Sequence, residues 1–280
     1  MNTNHANEDY GVNPAFLPPP KLWEVFEGLL KPWPPRPKGG CPHMPDKKAF
    51  YAIYFILSTG IQWKALPRSL GAPSTVHDRF QKWTAEGVFI DLWRACLFVY
   101  AHIKAIEWEW QAIDGANIKA PLGRENTGPN PTDRAKKGSK RVLQTDGNGI
   151  PLSVVVAPVN RNDFKVTKNV LDNMVINRPK PTKRKKQNMC LDKGFDYPEV
   201  DELLDEYGYT AHISRRGEDK SKKKRIPGYR ARRWVVERTH SWMNRFRRIQ
   251  TRWEKKTNNY EAFLHITCAY ITLKRAEVFG

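Results

Sequence analysis

The chain has 280 residues, with 48 Lys and Arg against 29 Asp and Glu, a formal charge of +19 and a pI near 9.8. Hydrophobic residues make up 40% and aromatics 11%, enough for a sizeable core, so wholesale disorder is excluded. No apolar run approaches the roughly 18 residues a membrane span needs, and residues 1–20 lack the basic start and apolar stretch of a signal peptide.

Residues 1–20 pass from polar to Pro-rich ("NPAFLPPP") and read as a loose arm. Residues 21–107 read as helices with breaks. "KLWEVFEGLL" is helical, "KPWPPRPKGGCP" is a loop held open by prolines, and "DKKAFYAIYFILSTG" is a helix stopped by Gly60. "TVHDRFQKWTAEG" opens on Thr75 with Asp78 three residues on, a capping-box spacing, and Gly87 is expected to end it. "VFIDLWRACLFVYAHIKA" comes next as a long amphipathic helix. Such a helical domain leaves room for a helix-turn-helix, with Arg79 and Lys82 exposed to DNA on its third helix.

At Trp108 the texture changes, and residues 108–280 read as a second domain. "WEWQAIDGANIKA" has strand character. In "SKRVLQTDGNGIPLSVVVAPV" two β-prone runs flank Asp146-Gly147-Asn148-Gly149, a hairpin signal. "DFKVTKNVLDNMVIN" reads as a helix, "NMCLD" as a strand, "YPEVDELLDEYG" as a helix and "YTAHIS" as a strand. A long helix is expected from Tyr229 to Trp253 and a last one from Tyr260 to Lys274. Three antiparallel strands and then alternating helices and strands is the ribonuclease H arrangement. The expected fold is therefore α/β: a ribonuclease H-like core with an N-terminal all-helical domain.

In such a sheet the tips of the first and fourth strands are neighbours. "WQAIDG" ends in Asp114 and "NMCLDKG" in Asp192, each an apolar run, an Asp, and a Gly within two residues. Two like charges held side by side repel unless a cation lies between them. Hard carboxylate ligands suit Mg²⁺, with Mn²⁺ able to substitute. The long helix supplies a third acid, Glu237, amid arginines. On helical spacing Val235, Trp242, Phe246, Ile249 and Trp253 form its apolar stripe, while Arg233, Glu237, His240 or Ser241, and Asn244 line another face. Two ions roughly 3.5–4 Å apart could clamp a scissile phosphate, Asp114 bridging both and Asp192 and Glu237 each completing one.

The charge is lopsided: residues 1–110 hold 12 basic and 10 acidic side chains, residues 111–280 hold 36 and 19. That field draws in polyanions, and nucleic acid is the natural partner. In "GPNPTDRAKKGSKR", Arg134, Lys137, Lys140 and Arg141 are candidate phosphate contacts. The runs "KPTKRKKQ" and "KSKKKR" imply only general attraction. Cys41, Cys96, Cys190 and Cys268 are far apart and form no CxxC pair, as expected for reduced thiols in a cytoplasmic protein without a zinc site.

The chain resembles the DDE transposases of bacterial insertion sequences, specifically the insertion-sequence-five group, over roughly residues 21–274. "FILSTGIQWKALPRSLG" and "STVHDRFQKWTAEGVF" are similar to that group's N-terminal region; "IDGANIKA", "TGPNPTDRAKKGSKRVLQTDGNGIPLSVVVAPVNRND", "LDKGFD" and "RRWVVERTHSWMNRFRRI" are similar to its core motifs. The resemblance implies binding of the element's inverted repeats, cleavage of phosphodiester bonds, and transfer of ends to target DNA by a homo-oligomer in a synaptic complex. It implies a prokaryotic, nucleoid-associated setting, a catalytic triad of Asp114, Asp192 and Glu237, and a motif arginine at Arg233 that is a candidate DNA contact. The chain departs where the signature has a basic residue seven after the glutamate: Asn244 stands there, with Arg245, the remaining DNA-contact candidate, next to it. Two other readings fit the residues: a transposase-derived DNA-binding protein without catalysis, and a ribonuclease H-type nuclease that hydrolyses but never joins.

Overall fold

The computed structural model describes residues 10–34, 42–213 and 232–277. Four helices come first: α1 (Pro20–Glu27), α2 (Asp46–Thr59), α3 (Pro73–Ala85) and α4 (Val88–Lys104). Gly60 ends α2 as anticipated, at φ +72, where a side chain would be strained. α3 differs from expectation. It starts at Pro73, whose ring presets the helical φ, no side chain caps it, and so the Thr75–Asp78 capping box goes unused. Its other end follows expectation: Glu86 is the C-cap, and Gly87, at φ +74 directly after it, stops the helix and also opens α4.

The sheet is built from β1 (Trp110–Lys119), the two-residue β2 (Gly128–Pro129), β3 (Lys137–Asp146), β4 (Pro151–Pro158), β5 (Asn188–Leu191) and β6 (Thr210–Ile213). Across the main ladder the order is β4-β3-β1-β5-β6, with β2 beside the start of β3. β1, β3 and β4 are antiparallel, while β5 and β6 run parallel to β1. This is the ribonuclease H arrangement read from the element order. The β3–β4 turn falls on the predicted residues, with Gly149 at φ +84 and Asp146 accepting from the N–H groups of Glu107 (3.1 Å), Asn148 (2.9 Å) and Ile150 (2.7 Å).

Helices cover both sheet faces, because alternate strand residues feed two cores. Ile113, Val142, Met189 and Leu191 pack with α5 (Phe164–Asp172) and α6 (Pro198–Glu206). Ala112, Leu143 and Cys190 belong to the larger core, which runs without interruption from α1–α4 to α9 (Thr257–Arg275). Phe80 stacks on Phe263 at 4.7 Å and Trp63 meets the same ring at 6.2 Å. The helical layer is therefore built onto a helix from the far end of the chain.

The predicted helix from Tyr229 to Trp253 is not continuous. Residues 229–231 lie outside the described residues. Beyond them the chain forms α7 (Trp234–Met243), an extended Phe246, and the short α8 (Arg247–Gln250). The break lets Phe246 turn inward against Tyr54 (5.9 Å) and Tyr270 (5.2 Å). It also shifts the buried stripe: Val235, Val236, Thr239, His240 and Met243 face the core, while Trp253 is exposed and Trp242 half-buried. Arg248 secures the bend through Glu254 (2.7 Å) and the Ile61 carbonyl (3.0 Å), both ends of the ion pair being buried. Cys96, Cys190 and Cys268 are buried free thiols.

Candidate active site

β1 and β5 pair in register, Trp110 with Asn188, Gln111 with Met189, and Ala112 with Cys190. Carried two residues further, that register sets Asp114 level with Asp192. The two chains differ locally. β1 does not end at Asp114 but continues to Lys119 against β3, whereas β5 stops at Leu191 and Asp192 caps a short 3-10 turn, accepting from the Lys193 N–H at 2.6 Å.

Glu237 lies in the first turn of α7, where a carboxylate is favoured by the helix dipole. Arg233, one turn earlier, joins it to the sheet. Its Nη1 is ion-paired with Asp192 and its Nη2 lies 3.4 Å from Glu237 Oε1. Arg233 is 27% exposed, Asp192 48% and Glu237 52%, so these pairs face solvent. Asp114 is deeper. Burial, together with the charges of Glu237 and Asp192, pushes its carboxyl up to about 6, opposed by the Gly115 N–H and by Arg233. Asp114 thus feels the charges of both other acids, one following the neighbouring strand and one on α7. The sequence assigned Arg233 to DNA, and the structure puts it between two carboxylates.

Beneath the acids runs a buried polar chain. His240 Nε2 is 3.4 Å from the Asp114 carbonyl, and its Nδ1 is 3.2 Å from Arg141 Nη2, which also donates to Asn244 Oδ1 at 3.1 Å. Because the carbonyl can only accept, Nε2 carries the proton and Nδ1 accepts from Arg141. Burial and the adjacent Arg141 drive the His240 pKa down to about 3, so the ring is neutral.

The donor set is chemically right for a hard divalent cation, being three carboxylates and nothing softer. Among the described residues, no three potential ligands are yet drawn together tightly enough to hold an ion. The Arg233 guanidinium stands between Asp192 and Glu237, and both of those side chains are about half exposed.

The other candidate DNA contacts divide sharply. Arg134, Lys137 and Arg245 are exposed and accessible. Lys82 is exposed too, with its Nζ 3.6 Å from the Trp33 ring centroid and 3.9 Å from Glu86. Arg79, expected on an exposed recognition face, is buried: it is ion-paired with Asp46, donates to the Met44 carbonyl (3.1 Å) and lies over Trp33. Lys140 is buried against Asp163 and the Arg161 carbonyl. Arg141, 1% exposed, is spent on His240 and Asn244. A side chain buried inside the fold cannot reach a phosphate, so these three are corrected to structural roles.

One neighbour went unnoticed in the sequence. Asp163, in the "NRND" stretch, puts Oδ1 3.1 Å from where a Cβ on Gly115 would lie and Oδ2 3.8 Å from the same point on Gly194. Its carboxylate therefore lies close to the backbone that follows both aspartates, Gly115 within β1 and Gly194 in the turn after β5. Its sequence signal was no more than its place in that stretch, which carries no chemistry by itself.

Comparison with known proteins agrees with this geometry. A family profile described as "Transposase DDE domain" matches residues 110–272, and one described as "Putative transposase of IS4/5 family" matches residues 20–93. The chain is similar to a Burkholderia cepacia protein described as "Putative transposase for insertion sequence element IS402", with 36% identity over 161 residues, 55% of this chain and 74% of that one. It is also similar to the "Insertion element IS402 uncharacterized 16.2 kDa protein" of the same organism, with 30% identity over 115 residues, 40% of this chain and 78% of that one. A solved pre-cleavage Mos1 transpososome aligns at 10% identity over 87% of this chain and 83% of that chain with a TM-score of 0.28, too low to carry weight.

Proposed function

The chain belongs to the DDE transposases of bacterial insertion sequences, and on that premise we propose that Asp114, Asp192 and Glu237 are the acids that cut and join its DNA. The observation that supports the assignment is the pairing of β1 with β5, which ends at Ala112 and Cys190, two residues before Asp114 and Asp192, together with Arg233, which links Asp192 to Glu237. The substrate is DNA, both the element's terminal repeats and a target.

The family implies divalent metal, and the finer reading is two Mg²⁺ ions, with Mn²⁺ able to replace them. When bound, the ions would activate an attacking water or 3′-hydroxyl and offset the charge on the leaving oxygen. Asp114, Asp192 and Glu237 would be the residues that hold them. Burial and the neighbouring charges of Glu237 and Asp192 hold the Asp114 carboxyl up, and a cation among the three acids would relieve that repulsion. His240 holds the Asp114 backbone through its carbonyl, and Arg233 keeps the two exposed acids paired until ligand arrives. Arg134, Lys137 and Arg245 remain free to take phosphates, and a multimer would bring two element ends together.

A test uses the full chain, a plasmid carrying the element's two ends, and either Mg²⁺ or Mn²⁺. Nicking and strand transfer by the parent, both lost in Asp114→Asn, Asp192→Asn and Glu237→Gln while DNA binding persists, is the expected result. Binding without any cleavage by the parent would indicate a transposase-derived DNA-binding protein. Cleavage of donor DNA with no joining of pre-cut ends would indicate a plain nuclease.

A further inference from the structure

At the opposite end of the same two strands lies a groove of about 600 Å³ between the segment entering β1 and the basic run entering β5. Its basic wall carries Lys180, Lys183, Arg184, Lys185 and Lys186, all exposed. None of the five is in an ion pair among the described residues. The facing wall offers Glu107 and Glu109, and both carboxylates are already engaged, with the Glu109 N–H (2.9 Å) and the Trp110 indole N–H (3.2 Å). The groove is therefore net positive.

A run of this kind is usually a solvated tail, but here it is built into the fold. Thr182 and Lys185 exchange backbone hydrogen bonds at 3.0 and 3.1 Å, closing a tight turn that presents Lys183 and Arg184 at its tip. Before the turn, Arg178 donates to the Tyr207 carbonyl and lies 3.8 Å from the Tyr209 ring centroid. Pro181 sits so close to Gly208 that a Cβ there would fall 2.7 Å from its Cγ. After the turn, Gln187 ties the strand entry to the Pro179 carbonyl (2.8 Å) and to Gln111 (3.2 Å). The backbone that carries the cations is fixed before any ligand arrives, which lowers the entropy cost of binding one.

We propose that this groove is a second DNA-backbone site, gripping duplex at a distance from the bond being cut; the inference rests on the transposase reading for its choice of polyanion. The chemistry favours backbone over base recognition. Cations dominate, and the aromatic that lines the groove, Trp108, is half-buried in the main core instead of presenting a free stacking face. From Asn188, on the groove, to Asp192 is four residues, or roughly 13 Å at about 3.3 Å per residue. That is about four base-pair steps, so one duplex could lie on both.

The test is a salt series of anisotropy titrations of a long mixed-sequence duplex with the full chain and with its K183A/R184A/K185A variant. Each lost phosphate contact removes about 0.9 from the slope of log K against log salt, so the slope should fall by about 2 to 3. Plasmid cleavage should show a raised KM with kcat unchanged, since the catalytic acids are untouched. An unaltered melting temperature excludes misfolding, and the charge-reversed K183E/R184E/K185E protein should weaken binding further. A slope change below about 1, a loss confined to one DNA sequence, or preferential displacement of the duplex by RNA of equal length would overturn the proposal. A parent that binds with the steep slope but never cleaves would overturn the assignment of the catalytic acids and leave the groove intact.

Discussion

Arg233→Gln is a sharp probe of the candidate site, because the same guanidinium is paired with two of the three acids a cation would need. For a metal ion to take Asp192 and Glu237, both pairs must open, and the free energy they contribute is subtracted from the apparent metal affinity. The partners are about half exposed, so each pair is worth only about 0.2–1 kcal/mol after solvent screening. Two such pairs amount to about 0.5–2 kcal/mol, a factor of about 2 to 30 in a binding constant. In the absence of DNA, Arg233→Gln should therefore bind Mn²⁺ more tightly than the parent by that factor, measured by calorimetry or by the electron paramagnetic signal of free Mn²⁺. Arg245→Gln removes an equal charge from an exposed position outside these pairs and controls for general electrostatics. Arg233→Gln should also lower DNA cleavage, because the motif arginine no longer organises the acids. Unchanged or weaker Mn²⁺ binding by Arg233→Gln would refute the idea that this side chain and the metal compete for the same oxygens.

Glu254→Gln should cost about 3–5 kcal/mol, because it leaves the Arg248 guanidinium buried without its charge partner. That corresponds to roughly 2–4 °C of melting temperature per kcal/mol, and the R248M/E254L double variant should recover most of it. Asp146 carries a pH signature of the opposite sign from an ordinary paired carboxylate. Burial raises its pKa to about 6 despite three N–H donors, so the folded state holds that proton more tightly than the unfolded chain, and stability falls as pH rises from about 4 through 6. The contribution is about 3 kcal/mol, and the parent-minus-Asp146→Asn difference in denaturant midpoint against pH should show it as a slope confined to that window. Arg141→Ala should destabilise by about 3 kcal/mol or more through a cavity and two orphaned acceptors, His240 and Asn244, while leaving the salt slope of DNA binding unchanged. R134A/K137A should do the reverse, with a lower slope and no loss of stability.

Local pattern was enough to place the two candidate aspartates on neighbouring strands. An apolar run, an Asp and a nearby Gly in a ribonuclease H order predict that β1 and β5 pair, as they do, although β1 runs on past Asp114 to Lys119. The same local reading failed for the cations. Lys140 and Arg141 sit in a run of charges that looks solvated, yet β3 is an inner strand paired on both edges and covered on both faces, so its residues from Gly138 to Asp146 are all buried. The partner of Lys140 lies at residue 163 and those of Arg141 at 240 and 244, too far along the chain for spacing to reveal. Arg79 misled for a related reason: Asp46 and Trp33, which hold it, come from the preceding helix and loop.

What the amino-acid order decided alone was the menu of elements and the hairpin at residues 146–149, and it named the three candidate acids and the expected sign of a partner's charge. These depend on periodicity, turn chemistry and composition, which act over a few residues or over the whole chain at once. The tertiary structure alone decided which cations stay outside, where the C-terminal helix breaks so that Phe246 can enter the core, and that Arg233 lies between Asp192 and Glu237. Each of those outcomes turns on desolvation by segments distant in sequence, and burial is a property of the assembled layers rather than of any stretch within them.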